Sequence, residues 1–424
     1  MRVLATNRAV VRVGFSLIEL LVAIGIIATL ASLTVVVVAN ITDSARENAT
    51  ITTTVKVGVA VDDRVSAFNR SFRGRRLTRA TEALERLAKV GMLPDVYGDG
   101  RALDQVPVEP RLLDSGAAEA IARKLAFRQQ FPQQYSELPP EDNSFITAND
   151  VTGILNGVSG SNGIPDIVER RSGDELLDAA RRRLSPAASD ADVAAEAVRA
   201  FTDTSDASMI AESSEVLYFS LTKLAVFGAS PVDADQFLSG ETADTDNDGM
   251  LEFVDSWGNP LRFYRWPTRL IDPNYDPSLR DDENVITGLE RNTATLLIRD
   301  LPPLPPGVFE VLLDGSTSSR TPRDPLKIDP DDPIGRIGFE LVRLNGANNS
   351  PNLGLHFNEA GFHSADVFHT PLVVSAGPDE VLGLFEPNDT ANRGNLAQPI
   401  QADGTDTDLF DNITNRNRKA GGLN

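Results

Sequence analysis

Residues 14–39 of the chain read GFSLIELLVAIGIIATLASLTVVVVA. From Phe15 onward this run is almost entirely apolar, and its one charged residue is Glu19. As an α-helix rising about 1.5 Å per residue it would be about 37 Å long, enough to span a hydrocarbon core of about 30 Å. The sequence therefore predicts a transmembrane helix over residues 15–39.

A basic leader precedes this run. Residues 1–14 contain Arg2, Arg8 and Arg12 and no acidic residue. The apolar run is longer than the roughly 7–15 residues of the apolar region in a cleavable secretory signal. The positive-inside rule predicts a single-pass protein of the inner membrane, with a cytoplasmic N-terminus and a periplasmic or extracytoplasmic C-terminal domain.

Glu19 is the unusual residue of the run, because a carboxylate in an apolar helix is costly and often marks function. It lies four residues after Phe15, which is about one helical turn. If the chain were cut between Gly14 and Phe15, the new α-amino group of one subunit could neutralise Glu19 of another. The alternative is a plain signal anchor that tolerates one glutamate near its cytoplasmic edge.

The segment Gly14-Phe15-Ser16-Leu17-Ile18-Glu19-Leu20-Leu21 resembles the class III signal of type IV pilins and type II secretion pseudopilins. This resemblance implies that a prepilin peptidase cuts after Gly14 and methylates Phe15. It also implies that Glu19 is the assembly residue. The partners implied are homologous pilin or pseudopilin subunits, the peptidase and an inner-membrane assembly platform.

The apolar pattern continues beyond the predicted span. Val57, Val61, Val65, Phe68 and Phe72 follow one another at steps of three or four, which places them on one face of a helix. The spacing predicts an amphipathic spine helix over residues 40–73, similar to the pilin helix whose outer half packs on a globular head. The β-branched run 51–55 is a weak helix former and allows a loosened stretch there.

Two further regions complete the predicted organisation. Helical spacing dominates residues 74–237, and short apolar runs separated by Pro, Gly and Asp dominate the part from 238 to 424. The predicted fold class is α+β, with a long N-terminal transmembrane and spine helix, an α-rich insertion and a small antiparallel β-sheet head with calcium loops. The predicted helices are 78–90, 117–130, 174–183, 187–201 and 208–227, and the predicted strands are 261–264, 294–298, 309–313, 338–344 and 372–375.

A calcium loop is predicted at residues 244–255, which read DTDNDGMLEFVD. A twelve-residue calcium loop has oxygen ligands at positions 1, 3, 5, 7, 9 and 12 and glycine at position 6, which is Gly249 here. Position 12 is aspartate rather than the glutamate of an EF-hand, as in dockerin-type loops. The alternative is a solvated acidic turn. The predicted Ca²⁺ ligands are Asp244, Asp246, Asp248, the Met250 carbonyl, Glu252 through water, and Asp255.

The segment after this loop carries a second resemblance. Asp255-Ser256-Trp257-Gly258-Asn259-Pro260 is similar to the signature of the major pseudopilins of type II secretion. In physical terms Gly258-Asn259-Pro260 predicts a turn into a strand, with Trp257 as its anchor in the core. The resemblance also implies a second calcium site, formed by Asp379 with either Asp408 or Asp411.

The composition excludes several classes of function. The 424 residues include 40 basic and 61 acidic side chains, a net charge of −21 that argues against nucleic acid as the main partner. Cysteine is absent, which excludes disulfides, thiolate zinc sites and cysteine nucleophiles. The chain lacks the serine-hydrolase elbow, the P-loop and the dinucleotide-binding motif, so we expect no enzyme. A weak alternative is an anchored metal-dependent hydrolase in which His356, His363 or His369 would bind zinc together with carboxylates.

The function predicted from these motifs is that of a structural subunit. It would assemble through its N-terminal helix, after peptidase processing, into a type II secretion pseudopilus or type IV pilus-like filament that supports protein secretion. The bulk of the chain resembles an enlarged or minor pseudopilin more than a densely packed major subunit. The alternative is an anchored, calcium-binding surface or adhesion protein that does not assemble.

Overall fold

The computed structural model describes residues 17–89, 115–138, 166–199, 201, 206–225, 228–266, 371–389, 394, 397, 400 and 411–416. The chain divides into two compact units, residues 1–48 and residues 49–424. The helices are α1 Leu17–Ser71, α2 Arg75–Lys89, α3 Ser115–Gln130, α4 Asp166–Arg183, α5 Asp190–Arg199 and α6 Asp206–Lys223, with 3₁₀ turns at Tyr135–Glu137 and Ala234–Gln236. The strands are β1 Thr242–Ala243, β2 Glu252–Phe253, β3 Arg262–Tyr264, β4 Leu372–Ser375 and β5 Ile413–Thr414.

The first unit contains the beginning of α1, and here two predictions are wrong. None of the helices in the described ranges combines the length and the apolar character needed to cross a membrane. Thr29, Ser32 and Thr34 interrupt the apolar run, and charged residues follow from Asp43. The predicted transmembrane helix over 15–39 and the single-pass inner-membrane localisation are therefore corrected. The fold class is corrected as well: the described residues form helices and small antiparallel sheets, and none of these helices is a membrane-spanning spine helix.

In the second unit, the rest of α1 packs as its spacing predicts. Val57, Val61 and Phe72 are completely buried, and Phe68 is 1% exposed. The helix is continuous through residues 51–55 rather than loosened. Buried threonines explain this continuity, because their β-branched side chains pack inside the unit and tertiary contacts outweigh their low helix propensity.

An aromatic cluster forms the centre of the second unit. Phe68 of α1 stacks on Phe72 with ring centroids 5.3 Å apart and meets Phe127 of α3 edge-on at 5.4 Å. Phe127 in turn stacks on Trp266 at 6.0 Å, just beyond strand β3. Helix α1, helix α3 and the end of β3 therefore share one core.

Two small antiparallel sheets lie in the same unit. Strands β1 and β2 form a hairpin with Ala243 opposite Glu252, and β4 is the middle strand between β3 and β5. Helix α6 contacts both β2 and β3. The strands predicted at 261–264 and 372–375 correspond to β3 and β4, whereas the predicted strands 294–298, 309–313 and 338–344 lie outside the described residues.

Candidate metal centre

The acidic loop connects the two strands of a hairpin. Asp244 follows β1 directly and Glu252 begins β2, and the pairing of Ala243 with Glu252 brings the two ends of the loop together. Asn247 and Gly249 have positive φ angles of 62° and 102°, which turn the chain between the strands. The hairpin therefore gathers alternate acidic residues on a tight loop.

Four carboxylates of this loop, Asp244, Asp246, Asp248 and Glu252, are called here the loop carboxylates. Oxygens of the three aspartates lie within 4.8 Å of one another. Asp246 also belongs to a second group, together with Glu252 and Glu215 of α6, whose carboxylate oxygens likewise lie within 4.8 Å of one another. The two groups share Asp246, so the five side chains form one continuous acidic cluster.

Each loop carboxylate accepts a hydrogen bond from a backbone N–H of the loop. These bonds fix the carboxylates in place and leave each with a second oxygen for another partner. The donors are Gly249 to Asp244 at 3.2 Å, Asp248 to Asp246 at 3.1 Å, Met250 to Asp248 at 2.6 Å and Thr245 to Glu252 at 2.9 Å.

Several of the second oxygens are buried without a donor. Among the described residues, no hydrogen bond reaches Asp244 Oδ1, Asp248 Oδ2 or Glu252 Oε1. The Oε1 atom of Glu215 is also buried and receives no hydrogen bond from the described residues. Buried anionic oxygens without partners are costly, and a divalent cation that takes oxygen ligands would compensate such oxygens within either group.

The electrostatics of the cluster agree with this requirement. Burial, reinforced by the charge of Asp246, raises the pKa of Asp248 to about 8. Burial, with the charges of Asp246 and Asp248, raises the pKa of Glu252 to about 9. Burial also raises the pKa of Glu215 well above its ordinary value. Near neutral pH these groups need either protons or a bound cation, and Ca²⁺ suits a site built of carboxylates.

Asp255, predicted as the ligand at position 12, has other partners. Its Oδ1 accepts bonds from the backbone N–H groups of Trp257 and Asn259, both at 2.9 Å. Its Oδ2 accepts from the hydroxyl of Ser375 in β4 at 2.8 Å. Asp255 therefore holds the turn and fastens it to the sheet, and it belongs to neither carboxylate group of the described residues. The ligand role of the Met250 carbonyl stays a prediction.

The signature segment makes the predicted turn but not the predicted core anchor. Gly258 has a φ of 93°, and the N–H of Asp255 donates to the carbonyl of Asn259 at 2.9 Å. Pro260 forms an isolated antiparallel bridge with Val254. Trp257 is only partly buried. The tryptophan of the core is Trp266, which is 1% exposed and which sequence reasoning missed.

Glu215 is the residue of the cluster that sequence reasoning missed. It lies on the buried face of α6 with Ala211, Ser214 and Tyr218, at helical spacings of three and four. A glutamate on such a face is itself a signal, because acidic side chains are rarely buried without a partner.

The proposed second calcium site is described only in part. The N–H of Asp379 donates to Asp411 Oδ2 at 3.2 Å, so these two residues are neighbours. Burial, with the charge of Asp379, raises the pKa of Asp411 to about 6. Asp408 lies outside the described residues. A metal at this position stays a prediction.

The remaining candidate residues fall mostly outside the described ranges. This applies to Gly14, Phe15 and the three histidines of the hydrolase alternative, His356, His363 and His369. Glu19 is the third residue of α1.

Comparison with known proteins does not extend these observations. Neither a protein family model, nor a curated protein, nor a solved structure matches the chain. The resemblance to pilins and pseudopilins therefore depends on the sequence motifs at 14–21 and 255–260 alone.

Proposed function

We propose that the protein is a structural subunit of a pilin-like or pseudopilin-like filament that supports protein secretion. The observation that carries the proposal is the apolar surface of α1 in the first unit. All of the described leucine, isoleucine and valine side chains between residues 17 and 41 are more than half exposed. They are Leu17, Ile18, Leu20, Leu21, Val22, Ile24, Ile26, Ile27, Leu30, Val38 and Ile41.

The distribution of these side chains favours a helix surrounded by several others. Leu20, Leu21, Val22 and Ile24 point in different directions around α1, so the apolar surface is not a single stripe. A soluble monomer rarely exposes so large an apolar area, and such areas mark interaction surfaces. A bundle of like helices from neighbouring subunits would cover all sides of this segment.

Glu19 supports the same arrangement. Processing after Gly14 would place a free α-amino group on Phe15, about one turn before Glu19. Within a bundle the amine of one subunit would pair with the carboxylate of the next and fix their register. Prepilin peptidase and an assembly platform are the further partners of this proposal.

In the second unit, the outer part of α1 is held by ion pairs, which suits a subunit that bears mechanical load. Lys56 Nζ lies 2.6 Å from Glu241 Oε2. Asp62 receives two bonds from Arg416, at 2.6 and 2.9 Å. Arg64, which is 3% exposed, donates to the carbonyls of Ser220 and Leu224 at the end of α6. Such contacts would transmit a displacement of the helix to the rest of the unit.

Ca²⁺ is the structural cofactor of the proposal, held by the loop carboxylates. A chain without cysteine cannot use disulfides, and a bound cation is another way to fix long loops. The cation would brace the β1–β2 hairpin, without a catalytic role.

The test of this function is assembly in the native host. Chemical crosslinking of assembled subunits should give a ladder of oligomers on a denaturing gel. Glu19→Leu should abolish this ladder, because the carboxylate that pairs with the α-amino group of the next subunit is lost. Asp43→Leu is the matched control, since Asp43 is an exposed acidic residue farther along the same helix. A Glu19→Leu ladder equal to that of the wild type would reject pairing through Glu19. A wild-type protein that forms no ladder would reject assembly and leave a calcium-binding surface protein that does not assemble.

A further inference from the structure

Helix α6 carries a buried carboxylate, that of Glu215, beside the loop carboxylates. Glu215 is 1% exposed and lies on the face that contacts β2 and β3. Its Oε2 accepts a bond from the Tyr135 hydroxyl. Its Oε1 accepts none from the described residues. An oxygen of Glu215 lies within 4.8 Å of oxygens of Asp246 and Glu252.

Two other glutamates nearby, Glu137 buried and Glu212 partly buried, have hydrogen-bond or ion-pair partners for their carboxylates. Glu212, one turn earlier on α6, accepts the N–H of Tyr135 at 2.9 Å and the Asn388 amide at 2.9 Å. Glu137 is held by Arg128 at 2.8 Å and by Arg265 at 2.6 Å. Glu215 has no arginine and no N–H donor among its described contacts. Beyond the Tyr135 hydroxyl, its described partner is another acid, the carboxyl group of Glu252. Two carboxyl groups in such contact need a shared proton or a cation between them.

The charge around Glu215 is strongly unbalanced. It joins the four loop carboxylates, so five acidic side chains meet in one cluster. Arg183, at the end of α4, favours the charged forms of Asp246 and Asp248, and its Nε is held by Glu196 at 2.8 Å. One guanidinium leaves most of the negative charge uncompensated, and a divalent cation would supply the balance.

We propose that Glu215 is a ligand of the loop cation, in the role that the twelve-residue pattern gives to Asp255, and that Ca²⁺ thereby fastens the β1–β2 hairpin to α6. Calcium takes six to eight oxygen ligands, mostly carboxylate and carbonyl. The loop supplies ligands at alternate positions, and α6 supplies one further carboxylate from outside the loop. This inference rests on the proposed calcium binding of the loop, and it is independent of filament assembly.

The surroundings of the loop fit a fastening role. Ser214, the neighbour of Glu215, donates its hydroxyl to the carbonyl of Phe253 in β2 at 2.9 Å. On the other side, Gly249 packs so closely on α4 that a Cβ there would lie 2.6 Å from Ala179 Cβ. The hairpin is therefore placed against both helices, and Glu215 connects the cation to one of them.

The experiment is calorimetric titration of the purified full chain with Ca²⁺, after removal of bound metal with a chelator. Glu215→Gln, which keeps the shape of the side chain, should weaken calcium binding at least about tenfold, or about 1.4 kcal/mol. Glu212→Gln is the matched control on the same helix, and it should bind calcium as the wild type does. Asp255→Asn should also keep the wild-type affinity, because an asparagine can still accept the two turn bonds.

A second measurement covers the case in which Glu215→Gln does not fold. Tb³⁺ bound at the cluster should be sensitised by Tyr135, whose hydroxyl bonds to Glu215. Tyr135→Phe should then lower the sensitised emission at saturating Tb³⁺.

Two results would overturn the inference. The first is an unchanged calcium affinity of Glu215→Gln, or an unchanged Tb³⁺ emission of Tyr135→Phe, when Asp255→Asn binds calcium more weakly than the wild type. The second is a wild-type chain that binds no calcium. That second result would also remove calcium from the proposed function, but it would leave the Glu19 assembly test unaffected.

Discussion

Gly249 occupies a position that no other residue can take without strain. Its φ of 102° lies in a region that L side chains rarely adopt, and an added Cβ would lie 2.6 Å from Ala179 Cβ and 3.2 Å from the carbonyl oxygen of Glu175. The requirement for glycine at position 6 of the loop therefore has two physical sources, the tight turn and the packing on α4.

Gly249→Ala should destabilise the protein by about 2 kcal/mol or more, because strained backbone and overpacking each cost about 1–3 kcal/mol. Gly240→Ala is the control, since a Cβ there meets no atom within 4 Å. Urea unfolding of both variants with Ca²⁺ present is the measurement. Equal midpoints for Gly249→Ala and the wild type would contradict the described packing.

Glu137 is the buried counter-charge of two arginines, Arg128 and Arg265. Burial alone would raise its pKa, but Arg265 and Arg128 together lower the pKa of Glu137 to about 2. Since this folded-state pKa lies below the ordinary value of 4.5, the pair stabilises the protein above about pH 4.5. That stabilisation is lost as the pH falls toward 2.

Glu137→Gln should therefore cost about 3–5 kcal/mol at neutral pH, because two buried arginines lose their counter-charge. Glu82→Gln removes an exposed pair with Arg86 and should change stability by less than about 0.5 kcal/mol. Denaturant unfolding at pH 7 compares the two variants. A small effect at Glu137 would mean that the arginines find other partners.

The residues of the acidic cluster divide into those that can be recognised in the sequence and those that cannot. Asp244, Asp246 and Asp248 alternate along the chain, so their convergence on a loop is visible in the sequence. Glu215 reaches the same cluster through the packing of α6, which local spacing does not encode. Asp255 fits the pattern by position, but the turn that follows uses its Oδ1 and Ser375 of β4 uses its Oδ2.

At the scale of elements, the β1–β2 hairpin should lose stability with rising pH when no calcium is bound, and calcium should offset that loss. The pKa of Asp248 is raised to about 8 and that of Glu252 to about 9. In the metal-free protein the folded state therefore binds more protons than the unfolded chain between about pH 4 and pH 9. Stability conferred by these protons falls as the pH rises through that window.

Thermal unfolding at pH 5, 7 and 9, with a chelator or with excess Ca²⁺, tests this prediction. With chelator the melting temperature should fall as the pH rises. Calcium at one hundred times its pH 7 dissociation constant should add about 2.7 kcal/mol at pH 7. The same calcium concentration should add more at pH 9 than at pH 5, because protons compete less for the carboxylates. Asp248→Asn should flatten the chelator profile. A melting temperature that rises with pH in chelator would contradict the account.

Elements with a strong period could be predicted from the sequence, and short ones could not. The five helices predicted between 78 and 227 overlap α2–α6, although α4 starts at Asp166 rather than at residue 174. Their periodic apolar faces extend over several turns, so the signal accumulates. Strands β1, β2 and β5 have two residues each, which is too short for alternation to be recognised.

At the scale of the whole molecule, the helical region and the sheets belong to one compact unit from residue 49 onward. The sequence predicts an α-rich insertion over 74–237 and a β-rich head over 238–424, because the type of pattern changes between them. Contacts of α6 with β2 and β3, and the stacking of Phe127 on Trp266, join the two regions in a common core. The change in local pattern near residue 238 therefore lies within one compact unit.

The apolar part of α1 remains the largest difference between pattern and structure. Its composition predicted a membrane span, and that prediction is wrong for the described helices. Exposed leucine, isoleucine and valine side chains are present there all the same, and they underlie the proposed assembly with like subunits. An apolar composition thus shows that the segment has an apolar surface, but it does not establish whether lipid or other protein chains cover that surface.

The most direct test of the proposed function is the intact mass and N-terminal sequence of the protein isolated from its own host. The account predicts a mature chain that starts at Phe15, with a methyl group on its α-amino nitrogen and without residues 1–14. A chain that still starts at Met1 would contradict processing by a prepilin peptidase and, with it, assembly through the α-amino group of Phe15 and Glu19.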